Sequence, residues 1–433
     1  MTTRKRRVAI TGLGVVSPLG NDVASTWHNL LNGKSGVAEI QQFDASGFPA
    51  RIAAEVKQFT PESSLLNKQN RFAMPLTHFA LGAAQQAFSD AGIMPNQQTA
   101  KRWGVVAGSG MMTAEFEYLQ RFQRVCAVNG TVDWAQLQAK STEFYRLTDF
   151  GKTTSNTGLS LLIQQFGIEG YASSVHTACA SGGQALGLAL NVIRRGDADC
   201  MLVGGFDSMI SPLGVSSFCL LGALSTYNDS PSTASRPFDG TRNGFVLGEG
   251  AAFLILEEWH HAKSRGAHIY AELAGEGNTL SSYRITDSHP NGDGAIQAIE
   301  RALKDAGLCA SDVDYINAHG TSTKMNDLSE TNAIKAVFGE QAQLPVSSTK
   351  SQTGHLIAAA GALEAVLSVL SIEHAQIPMT ANLTTPDPDC DLDYVTEGSR
   401  EKSLGAVLSN SFGFGGSNSC LVFKHPEFRG ATS

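Results

Sequence analysis

One structural plan occurs twice in this chain. Residues 174–194 read as a strand, a turn of small and reactive residues, and an alanine-rich helix. Residues 345–370 repeat it: Val346-Ser347-Ser348, the turn Lys350-Ser351-Gln352-Thr353-Gly354-His355, then an apolar run. Each unit follows a strand that ends in a glycine turn, at 105–110 and at 314–320. Such repetition predicts two similar halves, residues 1–265 and 266–433, that bring both reactive turns toward one centre.

The rest of the pattern agrees with an α/β chain. Short β-branched runs at 8–10, 104–107, 200–204, 251–257, 271–274, 314–318 and 406–408 read as strands. Residues 76–91 read as a helix stopped by Gly92. A basic linker, 260–268, joins the halves. Residues 113–151 fall outside the plan and are rich in aromatics; they suit a cap, a subunit contact or a plain helical insertion. Residues 384–393, rich in Pro and Asp, read as a loop.

Charge and cysteine usage narrow the setting. A net charge of −8 argues against general nucleic-acid binding. Seven cysteines without paired spacing favour a reducing, cytoplasmic setting. Arg4-Lys5-Arg6-Arg7 before an apolar stretch imitates a signal peptide, but Gly12, Gly14 and Pro18 break that stretch, so a first strand is the better reading. No unbroken apolar run is long enough for a bilayer, and a soluble protein without a membrane partner is expected.

Cys179 lies in Thr-Ala-Cys-Ala-Ser-Gly-Gly, between a strand and a helix. The positive end of a helix dipole favours ionisation, and the thiolate is the nucleophile. Small neighbours leave room for a substrate carbonyl and free backbone N–H groups. His319 follows a strand and opens His319-Gly320-Thr321-Ser322-Thr323. His355 stands before a helix, which disfavours its imidazolium and keeps it a neutral donor. A glycine-rich loop, Asn410-Ser411-Phe412-Gly413-Phe414-Gly415-Gly416-Ser417-Asn418, can supply an oxyanion N–H and an aromatic gate. One cysteine and two histidines also suit zinc, but they lack its close-spaced ligand pairs, and no metal is expected.

These four elements, in this order, resemble the elongating β-ketoacyl-[acyl-carrier-protein] synthases of the thiolase superfamily. Supporting stretches are Val8-Ala9-Ile10-Thr11-Gly12-Leu13-Gly14, Arg236-Pro237-Phe238-Asp239 and Gly244-Phe245-Val246-Leu247-Gly248-Glu249-Gly250. The resemblance covers nearly the whole chain. It implies a thiolase-like fold, two βαβαβ halves in five layers, α-β-α-β-α. It implies no bound cofactor and substrates carried on the phosphopantetheine of an acyl carrier protein. It also implies a dimer, either a homodimer or a heterodimer with a related chain-length subunit.

Residue by residue, the resemblance implies that Cys179 takes the acyl chain, with the N–H groups of Cys179 and Phe414 as oxyanion hole. His319 and His355 then assist decarboxylation of the malonyl carrier. Thr321 and Thr323 match positions that bind the pantetheine arm, while Met111 and Phe412 match the substrate pocket. Lys350 and Glu330 match a buried pair that supports the histidines, and Phe414 matches the gate. Lys68 and Arg71 keep the positive charge of a carrier-docking surface, whereas Phe72 and Gly222 replace basic residues there.

Lys324-Met325-Asn326-Asp327 departs from the Pro-containing form of housekeeping fatty-acid enzymes and resembles type II polyketide ketosynthases. The expected function is therefore a ketosynthase of a specialised type II polyketide or polyene pathway. Two alternatives remain: a housekeeping fatty-acid elongating synthase, and a non-catalytic chain-length partner. The last fits poorly because Cys179 and both histidines are present. A degradative thiolase needs a second cysteine in the glycine loop, and residues 411–418 have none.

Overall fold

The computed structural model describes residues 5–61, 71–110, 116–144, 146–284, 286, 288–340 and 343–428. Ten strands form one sheet. In chain order they are β1 (Val8–Val16), β2 (Trp103–Ser109), β3 (Ala172–Val175), β4 (Cys200–Ser208), β5 (Glu249–Glu258), β6 (Ala271–Leu280), β7 (Tyr315–Asn317), β8 (Val346–Ser347), β9 (Ala406–Phe412) and β10 (Ser417–Lys424). Their spatial order is β8-β7-β9-β10-β6-β1-β5-β4-β2-β3.

The order is the same array written twice. β1–β5 and β5–β4 are antiparallel, and β4–β2 and β2–β3 are parallel. The second array repeats this as β6–β10 and β10–β9 antiparallel, then β9–β7 and β7–β8 parallel. The arrays join at β1–β6, where Ala9 faces Glu272 and Ile10 faces Ala271. Parallel neighbours require crossover helices, which cover both faces.

Six helices build the layers: α1 (Pro75–Ala91), α2 (Thr157–Phe166), α3 (Ser181–Arg195), α4 (Asp293–Ala306), α5 (Lys324–Phe338) and α6 (Ala360–His374). α3 and α6 lie between the arrays; Leu186, Leu190, Val366 and Leu370 share one core with Leu13, Val203, Leu254 and Leu421. Neighbouring strand residues point the other way. Leu202 and Phe253 meet Phe88 of α1 and Leu162 of α2. Val422 meets Ile299 of α4 and Ile334 of α5. The result is the thiolase-like α-β-α-β-α stack.

Several elements differ from expectation. Residues 260–268 are not all linker: Trp259–Ser264 is a short helix, capped by Glu258, whose side chain accepts the His261 N–H at 2.9 Å. Ile357–His374 has the length and composition to cross a membrane, which a search for unbroken apolar runs misses because Glu364 interrupts it. It is the central helix and its preceding turn, 89% buried. The insertion folds as helices Phe116–Cys126, Trp134–Phe144 and Leu147–Thr153 with a small ladder of Ala127–Val128 against Thr131–Val132. It leaves Trp134, Leu147 and Phe150 exposed.

Candidate active site

The two repeated units deliver their reactive turns to one place. β3 leads into the turn Ala178–Ala180 and then α3; β8 leads through residues 350–355 and the turn Ile357–Ala359 into α6. The helices touch near their N-termini. A Cβ on Gly361 would lie 2.8 Å from the Gly183 nitrogen, so no larger residue allows this approach. Left-handed backbone at Ala178 (φ 50) and Ile357 (φ 48) marks both turns. Such conformations cost energy in non-glycine residues and persist where packing enforces them. Ser181 props the first turn: its hydroxyl donates to Ala178 O at 2.7 Å and accepts the Thr177 N–H at 2.9 Å.

Cys179 Sγ lies 3.0 Å from His355 Nε2. His355 Nδ1 accepts the Ile357 N–H at 3.2 Å, which puts the ring proton of the neutral form on Nε2, facing the sulfur. The His319 ring stands edge-on to His355 with centroids 5.3 Å apart, and Phe412 packs on His319 at 5.8 Å. His319 Nδ1 is buried and has no hydrogen-bond partner among the described residues.

Backbone groups complete the nucleophile's surroundings. The N–H groups of Phe414 and Cys179 reach the sulfur and favour its anion. Gly413 makes this possible, since a Cβ there would sit 2.8 Å from Thr177 O and 3.2 Å from the Cys179 nitrogen. Burial nevertheless pushes the Cys179 thiol up to about 12; Asp207 adds to the rise, while Lys350 and the two N–H groups oppose it. The expectation of an easily ionised thiol is thus corrected. Loss of water around the sulfur outweighs the helix end. Burial, followed by the Lys350 charge, holds both His355 and His319 well below their ordinary 6.5.

The expected Lys350–Glu330 pair is also corrected. Lys350 is buried against Glu364 of α6. Glu330 has other partners: it accepts the N–H groups of His319 and Gly320, each at 2.8 Å, and an Asn410 amide N–H at 3.0 Å. It stands on α5 one turn beyond Asp327, which accepts the Thr321 N–H at 3.0 Å and the Phe238 N–H at 2.8 Å. One helix therefore holds the 319–321 turn with two buried carboxylates. Burial raises Glu364 to about 7 against the pull of Lys350.

A cavity of about 450 Å³ opens above Cys179, walled in part by Phe245, Thr321, Thr323, Met325, Phe412 and Phe414. The Thr321 and Thr323 hydroxyls touch at 2.9 Å. Arg71 is exposed and lays its guanidinium over the Phe72 ring at 4.8 Å. Met111 and Lys68 lie outside the described residues.

Sequence reasoning missed Asp207 and Glu364. Asp207 sits at the end of β4, accepts the Ala358 N–H at 3.0 Å, and is raised by burial to about 7. Each is a lone carboxylate in an apolar run, which is the signal that could have found it. The ligand atoms of Cys179, His319 and His355 lie within 4.8 Å of one another, close enough for a metal. The donor chemistry fits poorly: burial favours the neutral thiol, so a cation would have to displace the Cys179 proton, and the Lys350 charge beside the site repels it.

Residues 5–262 match the family described as "Beta-ketoacyl synthase, N-terminal domain", and residues 270–384 match "Beta-ketoacyl synthase, C-terminal domain". The chain is 45% identical to the 3-oxoacyl-[acyl-carrier-protein] synthase 2 of Coxiella burnetii, over 96% of this chain and 98% of that protein. It is 41% identical to the protein of that name from Staphylococcus aureus strain COL, over 98% and 100%. Among solved structures, a beta-ketoacyl synthase from Burkholderia phymatum superposes with a TM-score of 0.88 at 34% identity, covering 97% of this chain and 99% of that one. The type II PKS acyl-carrier protein in complex with its ketosynthase bound to the hexaketide (AntDE:AntF) gives 0.86 at 37%, covering 97% and 100%.

Proposed function

The chain belongs to the beta-ketoacyl synthase family and is a 3-oxoacyl-[acyl-carrier-protein] synthase, a carbon–carbon bond-forming acyltransferase, and from this premise we propose that Cys179, His319 and His355 divide its chemistry into two half-reactions. In the first, Cys179 Sγ attacks the carbonyl carbon of an acyl thioester on the carrier's phosphopantetheine. The oxyanion forms between the N–H groups of Cys179 and Phe414. Its collapse breaks the carbon–sulfur bond to pantetheine, whose sulfur takes the thiol proton. The acyl chain is left on Cys179.

In the second, a malonyl carrier occupies the same mouth. Loss of carbon dioxide leaves an electron pair shared between carbon and the thioester oxygen. The neutral imidazoles of His319 and His355 donate N–H groups to that oxygen and hold the enolate without protonating its carbon. The carbon attacks the acyl–Cys179 carbonyl, the sulfur leaves as thiolate, and a proton from water restores the thiol. The product is a 3-oxoacyl thioester two carbons longer. The observation that carries this reading is the 3.0 Å approach of Cys179 Sγ to a His355 Nε2 whose proton position is set by Ile357.

Lys350 and Glu364 act as positioning residues behind the histidines, and Glu330 holds the His319 turn. Thr321 and Thr323 bind the pantetheine arm, Phe412 and Met111 line the acyl pocket, Phe414 gates it, and Lys68 and Arg71 meet the carrier. We read residues 1–265 and 266–433 as the two halves. The partner is an acyl carrier protein, and the enzyme works in the cytoplasm as a homodimer or as a heterodimer with a chain-length subunit. The likeness to "The ishigamide ketosynthase/chain length factor", 33% identical with a TM-score of 0.86, supports the latter.

The pathway is a specialised type II polyketide or polyene system. Lys324-Met325-Asn326 in the cavity wall supports this, as does the 37% identity to the AntDE:AntF ketosynthase complex. A second reading, housekeeping fatty-acid elongation, is favoured by the 45% identity to the Coxiella enzyme. Intact mass spectrometry with a panel of acyl carriers separates them. The first predicts selective loading by conjugated or aryl chains or from a dedicated carrier. Selective loading by saturated chains would establish the second.

A further inference from the structure

Leu220 is 89% exposed and Leu221 53% exposed, at the end of the helix Pro212–Leu220. Folding does not require them there. The opposite face of the helix, Val215 and Phe218, already fills the core beside Phe245 and Phe414. Beyond the helix, Gly222 is left-handed (φ 63); its N–H donates to Cys219 O at 2.9 Å and the Ala223 N–H to Phe218 O at 3.2 Å. This glycine stop ends the helix with both leucines facing water.

Their position is informative. Leu221, Gly222 and Met325, itself 38% exposed, rim the cavity that leads to Cys179. Among the described residues lining that cavity, Lys324 alone carries a full charge at neutral pH. Leu221 and Met325 share the wall of this cavity and Leu220 adjoins Leu221, and exposed apolar side chains gathered at a cavity mouth mark a contact surface. The substrate is tethered to a protein, and its arm must enter through this mouth. The protein at the other end of the arm therefore lies against the rim, and the apolar patch is continuous with its path.

We propose that Leu220, Leu221 and Met325 seat an apolar face of the acyl carrier protein and make its capture depend mainly on apolar contact. The proposal rests on the synthase reading above and adds to the docking surface of Lys68 and Arg71 an apolar contact that outweighs their charge. Apolar contact responds weakly to ionic strength, whereas charge-led docking weakens steeply as salt screens it.

The test is Leu220→Asn, because Leu220 is exposed and lies outside the cavity wall, so neither folding nor the reacting groups depend on it. Activity is measured with an acyl carrier substrate and with an acyl N-acetylcysteamine thioester, which has no protein to dock. The expected result is a loss of about tenfold in kcat/KM with the carrier, through KM, and none with the small thioester. The wild-type KM for the carrier should change less than about twofold between low and moderate salt. An unchanged carrier KM in the variant overturns the proposal. So does a shift in oligomeric mass by light scattering with carrier KM unchanged, which would make the patch a subunit contact. A steep rise of the wild-type KM with salt also overturns it. Failure of the wild type to accept either thioester would remove the synthase reading itself, and the proposal with it.

Discussion

Cys179 Sγ and His355 Nε2 stand 3.0 Å apart although they come from opposite halves of the chain. The contact exists because α3 and α6 cross at Gly183 and Gly361, at the ends nearest the reactive turns. Chemistry and fold meet in that crossing, and its consequences can be measured.

The thiol itself gives the first prediction. With Cys179 pushed up to about 12 by burial, its alkylation by iodoacetamide should keep accelerating above pH 9.0 instead of levelling off there. The same shift bears on stability. The folded state holds this proton more tightly than the unfolded chain, so the contribution is complete below about pH 9 and is lost as pH rises toward 12. Alkaline denaturation curves of Cys179→Ala should lack that component.

The histidines give the second. His319→Ala and His355→Ala should still accept an acyl chain on Cys179, while decarboxylation of the malonyl carrier falls about a hundredfold for each. Both rings are held well below 6.5, so the wild-type decarboxylation rate should be flat from pH 6 to 8 as far as these rings are concerned. Release of labelled carbon dioxide measures both effects. Normal decarboxylation by both variants would remove their assigned roles.

Gly413 gives the third. In Gly413→Ala the new Cβ meets Thr177 O at 2.8 Å and must displace the loop that carries the Phe414 N–H. Acyl loading should slow by about a hundredfold, the cost of losing one oxyanion donor. Thermal stability should fall only slightly, because the loop is partly exposed.

The buried ion pair gives the fourth. Lys350→Met leaves Glu364 without its partner in a dry interior and should cost about 3 kcal/mol, read from the denaturant midpoint. Lys350→Met with Glu364→Gln should recover part of that loss. Glu330→Gln, by contrast, weakens the hold on the His319 and Gly320 N–H groups and should reduce kcat more than it affects Lys350.

Much of this arrangement was legible in the sequence where local pattern and tertiary fold agree. The strand–turn–helix plan around Cys179 and His355 follows from apolar runs flanked by small residues; β1, β2, β4, β5, β6 and β9 run beyond the expected strands, while β7, at 315–317, is shorter than the expected 314–318. α3 begins at Ser181, inside the small-residue turn itself, because Ser181 braces the turn and its glycine neighbours are held by packing. What could not be read is long-range electrostatics. Lys350 pairs with Glu364 on the next helix of its own unit; the more distant Glu330 instead binds backbone N–H groups. The acidity of Cys179 depends on how completely water is excluded, which the helix-end argument does not contain. Asp207 is a buried carboxylate whose partner, the Ala358 N–H, comes from the other half of the chain, and Glu364 meets Lys350 only once the 350–355 turn folds back on α6.

The central claim is that the acyl chain rests on Cys179 during the reaction. The most direct measurement is intact and peptide-level mass spectrometry of the wild type and of Cys179→Ala after incubation with an acyl carrier substrate. The account predicts a mass increase of one acyl group in the wild type, confined to the peptide containing Cys179, and none in a folded Cys179→Ala protein. Acyl loading of Cys179→Ala, or condensation by it at the wild-type rate, would contradict the account.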